Sequence, residues 1–117
     1  MTSIRAVDLD RLPETVMAYL TAHNARDAAT AASFFATDAT VVDDGRTHKG
    51  IGAITRWAKE AGNAFAYTAV PVRAETGGED RYTVVQHLEG DFPGGEIDLR
   101  HHFTLREECI ARLVIEP

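Results

Sequence analysis

The sequence predicts a single α+β domain, with three helices from the first half packed on the concave face of one curved, mainly antiparallel sheet. Three observations carry this. Apolar residues recur at helical spacing up to about residue 63. Beyond it come four long segments separated by turn residues. When these are paired as hairpins, their apolar side chains collect on one face. The chain has 117 residues, 44% of them hydrophobic and 26% charged, which suits one domain with its own core.

The first helix rests on Leu12, Val16, Tyr19, Leu20 and His23, which form one helical stripe. Asp10 can cap it, and Pro13 is tolerated in a first turn. Asn24-Ala25-Arg26 ends it. Asp27 is a second N-cap, opening a short helix over 28–35. The β-branched run Thr40-Val41-Val42-Asp43 reads as a short strand, and Asp44-Gly45 as a turn. A third helix starts near Ile51, with Ile51, Ile54, Trp57 and Ala61 as its apolar side, and stops at Gly62-Asn63. The four strands then cover about 64–76, 80–90, 96–106 and 110–116. Pro93-Gly94 suits a type II turn, with glycine where φ must be positive.

A hairpin centred on Pro93-Gly94 sets Leu88 against Leu99, Gln86 against His101, Val84 against Phe103 and Tyr82 against Leu105. These share the core face, because side chains alternate along a strand. Two polar residues, Gln86 and His101, therefore face inward. A three-residue loop at Glu107-Glu108-Cys109 pairs Phe103 with Leu113 and His101 with Ile115, and turns Arg112 outward. The alternative two-residue loop would bury an unpaired guanidinium. Closing the first hairpin at Gly77-Gly78 places Tyr67 opposite Leu88, subject to a bulge at Pro71. On the outer face Val70, Val72, Val85, Ile110 and Val114 form an apolar patch, from which a homodimer is expected.

Composition removes several functions. A formal charge of −6 without a basic run argues against a nucleic-acid partner. No apolar stretch approaches the ~20 residues that cross a bilayer. A single cysteine rules out a disulfide framework within the chain. The first ten residues lack the apolar run of a signal peptide, so a soluble, cytoplasmic domain is expected. The five histidines show no metal-ligand spacing, and His101 and His102 point to opposite faces, so no metal is expected. Cys109 sits between acids that disfavour its thiolate. No phosphate loop, dinucleotide fingerprint or Gly-x-Ser-x-Gly elbow is present.

Two segments carry a family resemblance. Tyr19-Leu20-Thr21-Ala22-His23-Asn24-Ala25-Arg26-Asp27 resembles the first-helix segment of bacterial ketosteroid isomerases, and Phe35-Ala36-Thr37-Asp38-Ala39-Thr40-Val41-Val42-Asp43 resembles the segment that follows it. The spacing between them matches without a gap. The chain is also similar to the broader SnoaL-like group of the nuclear transport factor 2-like superfamily, which implies a cone-shaped α+β barrel. In the isomerases the tyrosine donates to a dienolate oxygen and the aspartate is the general base, roles that would fall on Tyr19 and Asp43. Where those enzymes carry a protonated aspartate before a His-Phe pair, this chain has His101 before His102-Phe103.

Each residue also has a plainer reading: Asp43 as a turn acid, Tyr19 as an amphipathic core residue, His101 as a satisfied core histidine. Phe34, Trp57, Tyr67, Gln86 and Phe103 are the candidates for a pocket lining, since small-ligand sites are mainly apolar with a few polar groups. The resemblance implies an isomerase- or cyclase-type enzyme that needs no cofactor and acts on a small apolar carbonyl compound by acid–base chemistry. The alternatives are a domain that only binds such a ligand, and an interaction module whose pocket is filled. An open cavity separates the first two from the third.

Overall fold

The computed structural model describes residues 4–63 and 66–117. The first residues of the strand expected over 64–76, Phe65 among them, lie outside the described residues. The elements are β1 (Arg5–Val7), α1 (Glu14–Asn24), α2 (Ala28–Ala32), β2 (Phe35–Asp43), β3 (Arg46–Lys49), α3 (Ile51–Asn63), β4 (Tyr67–Gly78), β5 (Arg81–Gly90), β6 (Glu96–Arg106) and β7 (Cys109–Glu116). One curved, open, seven-stranded sheet runs in the order β1-β4-β5-β6-β7-β2-β3. Only β2 and β7 pair in parallel among the described strands. The three helices pack against this sheet. No described helix is long and apolar enough to cross a membrane.

The α1 stripe is buried as its spacing requires, with Leu12, Val16, Tyr19 and Leu20 all in the core. Asp10 does not cap this helix. It lies in a short 3-10 turn over Leu9–Arg11, and Pro13 occupies the N-cap of α1. Asp27 does cap α2, accepting from the Thr30 amide at 3.2 Å. That helix ends at Ala32 and not at residue 35, because Phe35 already pairs with Ile110 of β7. The strand expected over 40–43 is thus nine residues long. On α3, Ile54, Trp57 and Ala58 are buried, whereas Ile51 at the first turn is 38% exposed.

The β5–β6 register departs from expectation by two residues: Gln86 pairs with Leu99, and Val84 with His101. The hairpin closes at Gly90 and Gly95, where the Gly90 amide donates to the Gly95 carbonyl at 2.9 Å. Asp91 is drawn away by the Ala66 carbonyl at 3.0 Å, which widens the loop. Pro93-Gly94 still forms the central turn, with Gly94 at φ 91° and the Gly95 amide bonded to the Phe92 carbonyl. A shift of two preserves side-chain parity, so Val84, Gln86, His101 and Phe103 remain inward and are buried.

In the last hairpin Phe103 faces Leu113 and His101 faces Ile115, as expected. The means differ. The loop has two residues, Glu107 and Glu108, both at positive φ, and a bulge near Thr104/Leu105 absorbs the extra residue. The bulge turns Ile110 into the core, while Arg112 stays exposed. The outer patch is correspondingly smaller. Ile110 and Val85 are buried, Val114 is half-buried, and Val70 and Val72 remain exposed. Val85 lies mid-sheet in register with Arg73 and Arg100, and side chains of that length can cover a neighbouring valine.

The β4–β5 hairpin turns at Glu79-Asp80 and carries a register shift after Pro71. Tyr67 therefore pairs with Gly90 and not with Leu88. Glycine is required there, since a Cβ on residue 90 would fall on the Ala66 carbonyl and 2.6 Å from the Tyr67 Cβ. This close approach brings the start of β4 over the end of β5.

Candidate active site

A cavity of about 610 Å³ opens between the helices and the sheet. Asp43, at the end of β2, supplies its carboxylate wall. The Asp44-Gly45 turn, with both residues at positive φ, stops β2 at that point and leaves Asp44 exposed. Trp57 of α3 reaches across and donates from Nε1 to Asp43 Oδ2 at 2.9 Å. Tyr67, Gln86 and His101 also line the space, as do Leu88, Leu99 and Ile115.

The expected site residues thus divide. Asp43, His101, Trp57, Tyr67 and Gln86 meet at one cavity. Tyr19, Phe34 and Phe103 do not line it. Phe34 packs half-buried against the core. Phe103 stacks on His101 and meets Tyr19 edge-on, with ring centroids 6.4 and 5.7 Å away. Tyr19 is wholly buried, and its hydroxyl stands 3.4 Å from His23 Nδ1. The helical stripe correctly turned Tyr19 inward, but His23, one turn later on the same face, is the residue that reaches the cavity. That i+4 relation was the available sequence signal for His23.

His101 is held by a polar chain through the core. Asn24 Nδ2 donates to Gln86 Oε1 at 2.7 Å, which fixes the Gln86 amide and turns its Nε2 donor to His101 Nε2 at 3.4 Å. His101 Nε2 therefore accepts, and the proton of the neutral ring sits on Nδ1. That atom is sealed from solvent and makes no hydrogen bond of normal geometry within the described residues, while the Leu99 backbone lies close enough to the ring to favour its proton. Burial, helped by the neighbouring His23, holds the His101 pKa down to about 3, so the ring is neutral. Burial also lowers the pKa of His23, against the pull of Asp43. Burial raises that of Tyr67, whose ring carries the Arg26 guanidinium 5.2 Å from its centroid.

The cavity thus combines the Asp43 carboxylate, with Asp44 and Glu116 also on its lining, two neutral imidazoles and an apolar wall, without a lysine or arginine among its described lining residues. Such a set can move a proton and bind a neutral molecule. On the outer face His87 meets Asp98 at 2.6 Å and Glu89 at 3.2 Å. Both carboxylates favour a proton on His87 and raise its pKa.

The comparisons agree with this architecture. A structure of a protein from Sinorhizobium meliloti, provisionally assigned as a polyketide cyclase, is 34% identical with a TM-score of 0.86, and covers 94% of this chain and 100% of that one. A Catenulispora acidiphila protein of ketosteroid isomerase-like fold, solved with trimethylamine, is 23% identical with a TM-score of 0.76, covering 90% of this chain and 85% of that one. The epoxide hydrolase/cyclase-like enzyme SalBIII of salinomycin pyran-ring formation is 21% identical with a TM-score of 0.75, covering 87% and 86%. No curated protein matches the sequence. The profile of the SnoaL-like domain matches residues 16–113, and the chain belongs to that family.

Proposed function

We propose that this domain is a cofactor-free enzyme that moves a proton on a small, neutral, largely apolar carbonyl compound, with Asp43 as the base. The observation that carries this is the Asp43 carboxylate, held by Trp57 Nε1 at 2.9 Å on the wall of an open, mostly apolar cavity. A carboxylate so placed can take a proton from the carbon next to a carbonyl and return it elsewhere, which is isomerisation. The same first step begins a ring closure of the aldol type, and the Sinorhizobium relative is provisionally assigned as a polyketide cyclase. Trp57 supports the base by orienting one carboxylate oxygen and leaving the other for substrate. His101 contributes a neutral wall, because burial keeps a positive charge away from the carboxylate.

The test is turnover of a panel of β,γ-unsaturated ketones by the wild type and Asp43→Asn. The reading expects conjugation of the double bond by the wild type and a loss of about 10²–10⁴-fold in the variant. Ligand binding by the wild type without turnover of any carbonyl compound would leave a binding domain instead. We also propose a homodimer through the outer sheet face that bears Val70 and Val72. Sedimentation showing monomer alone at high micromolar concentration would reject it.

A further inference from the structure

If a carbonyl oxygen is to gain negative charge in this cavity, some group must donate a hydrogen bond to it. Neither expected donor has a polar atom free for that task. The Tyr19 hydroxyl is spent inside the core, and His101 Nδ1 is sealed by its surroundings. We infer that His23 is the donor presented to the substrate oxygen, and that Tyr19 is the positioning residue that fixes its tautomer. This rests on the reading of the cavity as a carbonyl site.

Tyr19 and His23 stand four residues apart on α1, so the helix stacks them on one face. The Tyr19 hydroxyl is completely buried, and His23 Nδ1 is its hydrogen-bond partner. If Nδ1 carried the proton and donated, the phenolic hydrogen would be left buried without an acceptor, at a cost of about 1–3 kcal/mol. The hydroxyl therefore donates and Nδ1 accepts. A neutral imidazole with Nδ1 accepting carries its hydrogen on Nε2. Among the described residues no hydrogen bond engages Nε2, and His23 lines the cavity. Nε2–H is thus the donor left for a ligand.

Ring packing holds this donor in place. His23 lies nearly parallel to Tyr19, with centroids 5.6 Å apart at 26°, and to Trp57, at 6.0 Å and 15°. Trp57 is also the residue that bonds Asp43. One indole therefore supports both the base and the donor, which fixes their relative position. The groups facing His23 are Tyr19, Trp57, Asp43 and, at 6.5 Å between ring centroids, His101. Burial keeps His23 neutral near neutral pH, so it donates without neutralising Asp43. In the reaction Asp43 takes the α-proton, the C–H electron pair forms the bond between the α carbon and the carbonyl carbon, and the carbonyl π pair moves onto the oxygen. His23 Nε2–H bonds that oxygen while Asp43 returns the proton to the γ carbon, and the pair on oxygen re-forms the carbonyl as the double bond shifts to the α,β position.

Two measurements test this without turnover. Nitrogen-15 spectra of the wild-type imidazoles should show neutral His23 protonated at Nε2, and Tyr19→Phe should shift it toward the Nδ1–H tautomer. A wild-type His23 protonated at Nδ1 would overturn the proposal. The second measurement compares binding of 2-naphthol, a mimic of an enolate, with naphthalene, in an Asp43→Asn background that mimics the protonated base. His23→Leu should weaken 2-naphthol by about tenfold and leave naphthalene unchanged, the size of one net hydrogen bond. His23→Gln, which restores an N–H, should recover part of the loss. Equal losses for both probes would assign His23 to packing alone. If 2-naphthol depends on His23 while Asp43→Asn spares turnover, the base assignment fails and the donor assignment stands.

Discussion

Replacing Gln86 by leucine should destabilise the fold through the groups it leaves behind. Gln86 is 1% exposed and occupies the middle of the Asn24–Gln86–His101 chain. Leucine is close in size, so the apolar contacts largely survive. The polar ones do not: Asn24 Nδ2 loses its acceptor at 2.7 Å and His101 Nε2 loses its donor at 3.4 Å. Each orphaned group costs about 1–3 kcal/mol, and the better transfer of leucine returns part of this. The net cost is about 2–4 kcal/mol. For a domain of this size that lowers Tm by roughly 10–15 °C. Urea and thermal unfolding of the two proteins would measure it. A double-mutant cycle with Asn24→Leu adds a sharper test. Removing both partners should cost clearly less than the sum of the single changes, with a coupling of about 1–2 kcal/mol. A Tm drop below about 3 °C, or strict additivity, would refute the polar chain as a stabilising unit.

Three further outcomes are expected. Trp57→Phe removes the donor to Asp43 Oδ2 but keeps an aromatic ring beside His23, so turnover should fall about tenfold or more with a smaller effect on binding of apolar ligands. Stability should decline as pH falls from about 6.5, where an unfolded histidine begins to protonate, toward about 3, where buried His101 does. The sign follows because the unfolded chain binds the proton first; full stability lies above the unfolded value. His101→Leu should flatten the slope between about pH 6 and pH 5, leaving the smaller share from His23, and urea titrations at stepped pH would show an unchanged slope if His101 were solvated.

Much of the fold was legible because parity is more robust than register. The β5–β6 pairing slipped by two residues, yet Gln86 and His101 stayed inward, since a slip of two restores the same faces. The β6–β7 pairing survived for a different reason. A two-residue loop plus a bulge reaches the same inner pairs as a three-residue loop. What the sequence hid has local causes. β1 and β3 are three and four residues long and carry no apolar alternation, so they gave no periodic signal. The alanine-rich run before Phe35 reads as helix by propensity, but the parallel partner β7, some 75 residues later, claims Phe35 for the sheet. The site was half legible. Asp43 and His101 could be placed from strand ends and strand faces. The i+4 relation marks His23 as a neighbour of Tyr19 on one helix face, but the sequence does not say which of the two reaches the cavity, because that depends on how deeply Tyr19 is drawn into the core.

A base at Asp43 exchanges a proton with carbon. Deuterium uptake from heavy water at the carbon next to the carbonyl of a bound ketone tests it most directly, since it detects abstraction even where no product accumulates. The wild type should catalyse uptake, and Asp43→Asn should slow it by about a hundredfold or more with ligand affinity retained. Equal uptake in both proteins, or bound ketone with no uptake in the wild type, would contradict it.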